Sequence, residues 1–155
     1  EYMCAVLSVE SNSVGASREE KVSQGVADCR RLGILILPPD INHSEANFSI
    51  EMIEEKPAIR YALTGIKNVG TAAIETILEY RKDGVLNSFS EFLVRTDSRK
   101  INKKVLESWI KCGAFERFAT RSSMLENLEK IRANVTAISP ATPNGATMAE
   151  MDRRL

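Results

Sequence analysis

The sequence of 155 residues holds one histidine, one tryptophan and three cysteines. His43 alone offers no nucleophile–base pair, and a zinc site would need more ligands at close spacing. Cys4, Cys29 and Cys112 are odd in number and widely separated, with no C-x-x-C pair. That removes a disulfide scaffold and a zinc finger and leaves reduced, mostly buried thiols as the expectation. No apolar run approaches the roughly 20 residues that span a bilayer. Glu1 to Glu10 has neither the basic start nor the apolar stretch of a secretory leader. A cytoplasmic protein without a membrane partner is expected. No Gly-rich loop ends in Gly-Lys-Ser/Thr, so a P-loop is absent. No Asp-x-Asp pair is available for two magnesium ions, and Glu150 and Asp152 sit in a tail of low order. Glu19-Glu20 and Glu54-Glu55 read as surface and turn. No catalytic residue, metal site or cofactor is expected within these residues.

What is present is an ordinary soluble balance, 43% hydrophobic and 27% charged, which excludes collagen-like and fully disordered chains. The length suits one modest domain, or a small domain carrying pieces of another. Lys plus Arg and Asp plus Glu both number 21, but the balance conceals an asymmetry. Residues 1–58 carry five basic and ten acidic side chains, and residues 59–133 carry fourteen basic and nine acidic. A polyanionic partner is therefore compatible with a net charge of zero, because the local field decides.

Along the chain, Tyr2 to Val9 reads as the end of a helix. Ser17 and Glu20 have capping-box spacing, and Val22, Val26 and Cys29 then recur at i, i+4, i+7, which predicts an amphipathic helix over 18–31 ended by Gly33. Leu35-Ile36-Leu37 is an extended run stopped by Pro38 and Pro39. Phe48-Ser49-Ile50 and residues 59–63 predict a small antiparallel hairpin, separated by the stretch from Glu51 to Lys56. Ala73, Ile74, Ile77 and Leu78 predict a helix over 71–82. Further helices open at Ser88, with Glu91 completing a second capping box, at Asn102 and at Thr120. From Asn134 the composition turns to Ala, Thr, Pro, Asn and Gly, the signature of a linker or disordered end. The predicted class is mainly α, a helical domain with a helix-hairpin-helix-like turn and a small antiparallel β-hairpin.

The segment from Leu63 to Ile74 carries the functional argument. A tight turn that needs positive φ is served by Asn68. Gly70 lets an anion approach the backbone without meeting a β-carbon. Thr71, Ala72 and Ala73 then present free N–H groups at a helix start, where anions bind. Lys67 adds a mobile positive charge. Two features depart from a standard helix-hairpin-helix: residues 59–63 read as strand rather than as a first helix, and Asn68 stands where glycine is more usual. A second cationic group, Arg99, Lys100, Lys103 and Lys104, follows in the same basic half. Together the two groups suit phosphate contact along a DNA backbone without base reading.

Six segments recur in fixed order: Glu1-Tyr2-Met3-x-Ala5-x-Leu7; Cys29-Arg30-Arg31-Leu32-Gly33-Ile34; Leu37-Pro38-Pro39-Asp40-Ile41-Asn42; Arg60-Tyr61-Ala62-Leu63-x-x-Ile66-Lys67-Asn68-Val69-Gly70; Asn102-Lys103-Lys104-Val105-Leu106-Glu107; and Cys112-Gly113-Ala114-Phe115-Glu116. Over residues 1–130 the chain resembles the alpha (catalytic) subunits of bacterial DNA polymerase III, the C-family replicases. The resemblance implies a piece lying past the palm, whose catalytic aspartates, and the magnesium they use, lie upstream. Residues 1–33 would end the fingers, residues 34–133 would be the helix-hairpin-helix region, and residues 134–155 a linker. It further implies duplex template–primer DNA as partner, together with the remaining polymerase domains and the replisome. Lys67, Asn68, Gly70 and Thr71 would hold a phosphate, with Arg99, Lys100, Lys103 and Lys104 as secondary contacts. The competing expectation is a structural or protein-interaction module that braces the fingers without touching DNA. A free-standing repair-type protein fits less well, because Tyr2, Met3 and Leu7 open the chain without evident partners.

Overall fold

The computed structural model describes residues 1–15, 17–95 and 101–137. Helices α1 (Tyr2–Asn12) and α2 (Arg18–Arg31) lead into strand β1 (Leu35–Leu37). Strands β2 (Ser49–Ile53) and β3 (Lys56–Arg60) follow, and then helices α3 (Thr71–Lys82), α4 (Phe89–Arg95), α5 (Lys103–Cys112) and α6 (Arg121–Ala137). The mainly helical class with a small antiparallel hairpin is the one observed. Among the described residues no helix is long and apolar enough to cross a membrane.

The periodic segments form where their apolar spacing put them. Asn102 caps α5 by accepting the Val105 N–H at 3.0 Å. At the other end Gly113 takes φ +88°, and the Ala114 N–H closes back onto the Trp109 carbonyl at 3.0 Å, a left-handed stop that suits glycine. Ser88 accepts the Glu91 N–H at 3.0 Å. The returning Glu91 carboxylate takes the Asn87 N–H at 3.0 Å, one residue before the position a capping box would use.

Other expectations change. Ser17 adopts φ −82°, ψ −3° and makes no side-chain cap bond. A capping hydroxyl needs extended backbone to point at the first-turn amides, and Ser17 is already helical. Residues 35–37 do not stay a lone extended run: β1 pairs parallel with β3, Leu35 opposite Ala58, giving the strand order β1-β3-β2. The hairpin is tighter than expected. Ile53 pairs with Lys56, so only Glu54 and Glu55 turn the chain, both at positive φ (48° and 65°). Residues 61–63 leave the sheet, since β3 ends at Arg60. Leu7 does find partners within the chain. It is fully buried beneath Gly25, where an added Cβ would come within 2.7 Å of Leu7 Cδ2. Tyr2 stays exposed. Helix α6 runs past Asn134 to Ala137, because nothing before Pro140 forbids helical backbone.

Two apolar clusters result. The smaller joins Cys4 and Leu7 of α1, Val22 and Cys29 of α2, and Phe48, Ile59 and Ala62. The larger gathers Leu63, Ile66 and Val69 with α3 to α6. Phe115 lies at its centre, its ring 5.0 Å from both Phe89 and Phe92. Tyr61 packs against both clusters and sits edge-on to Phe48 at 4.9 Å.

Candidate nucleic-acid interface

The bend from Leu63 to Gly70 is fixed from behind. Leu63, Ile66 and Val69, spaced three apart, are all buried, so the intervening Lys67 and Asn68 are forced outward, and both are exposed. The loop before β2 clamps the segment that enters the bend. Ser44 donates to the Tyr61 carbonyl at 2.7 Å. The Leu63 and Thr64 amides donate to the Glu45 and Ala46 carbonyls at 2.9 and 3.1 Å. That loop is in turn held by Asn42, whose side-chain amide pairs with both backbone groups of Leu86, at 2.8 and 2.9 Å.

At the tip, Asn68 has φ +63°, the left-handed value expected of the turn. Its side-chain amide leans on Ser108 Oγ of α5 at 3.3 Å. Gly70 is the N-cap of α3 in extended backbone (φ −88°, ψ 162°), with no side-chain cap. A Cβ built on it would meet nothing within 4 Å, so the approach to the helix start is open. The Thr71 and Ala72 amides have no hydrogen-bond partner among the described residues. Ala73 differs from the expectation: its amide, like that of Ile74, is spent on the Gly70 carbonyl, at 3.1 and 3.2 Å. The open amides are therefore those of Thr71 and Ala72, and they carry the partial positive charge of the helix start.

Lys67 is exposed but not idle. Its ammonium pairs with Glu19 of α2 at 3.1 Å. Lys103 is also engaged, with Glu129 of α6 and, at 3.9 Å, with Glu107; hydrogen bonding to Glu129 pushes the lysine pKa up. Lys104 is exposed and makes no ion pair with any described residue. It stands one turn before Ser108, whose hydroxyl donates to its carbonyl at 2.9 Å, so the face of α5 nearest the bend carries it. Arg99 and Lys100 lie outside the described residues.

Two clefts flank the bend. One of about 560 Å³ separates it from α5 and is lined by Tyr61, Lys67, Asn68, Ser108 and Lys111 among others. Cys112 also lines it, its thiol pushed up to about 11 by burial, so it stays protonated and inert at neutral pH. The second, of about 450 Å³, lies between the bend and the α1–α2 connection and is lined by Arg18, Glu19, Gly70 and Thr71, with Asn12 and Ser13. Sequence reasoning missed Lys111, Arg18 and Glu19. Lys111 had a signal, being one turn beyond Ser108 on a basic helix. Arg18 and Glu19 had none, since some fifty residues separate them from the bend.

A profile described as a helix-hairpin-helix motif matches residues 33–124. The chain belongs to the helix-hairpin-helix motif family. In this member the first helix is reduced to turns over 63–68, and the sheet and its loop brace the hairpin in its place. Beyond the motif, the chain is 36% identical over 148 residues to DNA polymerase III subunit alpha of Campylobacter jejuni, covering 95% of this chain and 12% of that protein. It is 39% identical over 132 residues to the protein of the same name from Thermus aquaticus, covering 84% and 10%. With that of Mycobacterium tuberculosis it shares 42% over 117 residues, covering 75% and 9%. The helix-hairpin-helix chain thus spans about a tenth of the length of these relatives.

Proposed function

We propose that this chain is the section of a bacterial DNA polymerase III alpha subunit that holds duplex template–primer DNA by its phosphates, without reading sequence. The observation that carries the reading is the pair of amides of Thr71 and Ala72, without partners among the described residues and opened by the bare Gly70, with Lys67 in the same bend and linked through Glu19 to the cleft they face. An anion there meets backbone donors, a helix dipole and a cation together. Lys104 extends the positive face along α5, with Arg99 and Lys100 as further secondary contacts from the sequence; Lys103 and Lys111 are weaker ones, because Glu129 holds the first and Glu107 pairs with the second at 3.8 Å. Affinity there would rest on charge rather than on base contacts. Nucleotidyl transfer, with its magnesium, would belong to other sections of the polymerase, and contact with the replisome would run through them. The division into fingers (1–33), duplex-holding region (34–133) and linker (134–155) follows from the same reading, as does a cytoplasmic location.

The test is equilibrium binding of the full chain to duplexes of unrelated sequence between about 50 and 200 mM salt. Affinity should be alike on all duplexes and log K should fall linearly with log salt. Lys67→Met should weaken binding equally on each and flatten the slope by up to about 0.9. A salt-independent affinity refutes the reading. A second reading has its own observation. Tyr2, Met3, Val6 and Leu32 line a cleft of about 480 Å³ between α1 and α2, with Tyr2 and Leu32 exposed, a surface suited to bracing a neighbouring domain. If bracing were the sole role, duplex binding would be absent at low salt.

A further inference from the structure

We propose that Glu19 is the resident counter-ion of the bend: it holds Lys67 while no nucleic acid is present and yields it to an incoming phosphate. The inference rests on the reading that the bend holds duplex phosphates, and deepens it by naming what limits their affinity.

Two observations carry it. The first is the ion pair itself. Glu19 Oε2 lies 3.1 Å from Lys67 Nζ, across 48 residues of sequence, with both side chains more than half exposed. An ion pair so exposed is weak and screened by salt, so it can be exchanged rather than locked. The second is position. Glu19 lines the same cleft as Gly70 and Thr71, so a phosphate seated on the Thr71 amide shares that cleft with the Glu19 carboxylate. The carboxylate thus acts twice, neutralising the cation a phosphate would use and repelling the phosphate from the amides beside it. Glu19 stands in the first turn of α2, where the helix dipole favours an anion. Its neighbour Arg18 lines the cleft too and pairs with no acid among the described residues, so the first turn of α2 presents one competitor and one cation to the same space. A phosphate that displaces Glu19 leaves that carboxylate to solvent and takes Lys67, which exchanges one ion pair for another and so gains less than a free lysine would give. Weak, salt-sensitive grip is the consequence.

The experiment is a double-mutant cycle in the full chain: wild type, Glu19→Gln, Lys67→Met and the double variant, each titrated with duplex over the same salt series. Both positions are exposed, and thermal midpoints check that all four proteins fold. Glu19→Gln should bind roughly fivefold more tightly near 0.1 M salt, with a steeper slope, because Lys67 then contributes more fully to counterion release. In the Lys67→Met background the same substitution should gain less than about twofold, the residue of long-range repulsion. An equal gain in both backgrounds overturns the proposal, since Glu19 would then act as a distant charge, and so does the absence of any gain. If Lys67→Met binds duplex as tightly as wild type, the phosphate reading of the bend is what has failed. If Lys67→Met weakens binding but the cycle shows no coupling, that reading stands and the counter-ion falls.

Discussion

At Gly70 the demands of the fold and those of the proposed phosphate contact can be separated. Its backbone lies in a region open to any residue, and a methyl group placed there would touch nothing. Gly70→Ala should therefore change stability by less than about 1 kcal/mol, the usual spread at an N-cap. The same methyl group would stand where a phosphate must come to reach Thr71 N–H, so duplex affinity should fall roughly tenfold, the size of one lost charge-assisted hydrogen bond. Thermal denaturation and duplex titration of one preparation check both halves. This residue was legible from sequence, as was the positive φ of Asn68, because turn chemistry is local. Glu19 was not: its partner is set by how α2 packs beside the bend, and no spacing in the chain announces that.

At the scale of elements, the helices were readable because their apolar positions repeat with the helical period, and Gly33 and Gly113 mark ends. The pairing of β1 was not readable. Three residues hold too little pattern to name a parallel partner more than twenty residues away. The failed cap at Ser17 has a similar cause, since side-chain identity does not fix the backbone angle that aims it. The β2–β3 turn offers a test. Two central residues at positive φ define the turn that favours Asn-Gly, yet glutamates occupy it. Replacing Glu54→Asn together with Glu55→Gly should add about 1 kcal/mol, seen as a rise in the thermal midpoint of about 2–4 °C. Duplex binding should change only by the loss of two distant negative charges.

For the whole molecule, Arg60 ties the sheet into one piece. Its guanidinium donates twice to Glu51, at 2.8 and 2.9 Å, and once to the Pro38 carbonyl at 2.9 Å, so β3 is joined to β2 and to the chain leaving β1. The hydrogen bonds from Arg60 hold the Glu51 carboxyl below the usual carboxylate range. A carboxyl whose pKa is depressed by folding adds stability at pH values above its unfolded value, about 4.3, and loses it as pH falls through the lower folded value. Wild type should therefore exceed Glu51→Gln in denaturant midpoint at pH 7, and the gap should close progressively below pH 4.

The hydrogen bond from Asn68 to Ser108 reaches further than its strength. Asn68 rests against Ser108 while Leu63, Ile66 and Val69 root the bend in the interior, so the bend is held to α5 at its tip as well as from behind. The stretches of backbone that carry Lys67 and Lys111 are tied together across the cleft between them, like pegs in one board, while the side chains stay free to change partners. A strand docking as proposed would find the board already cut to size, and most of the adjustment would fall on the visitor.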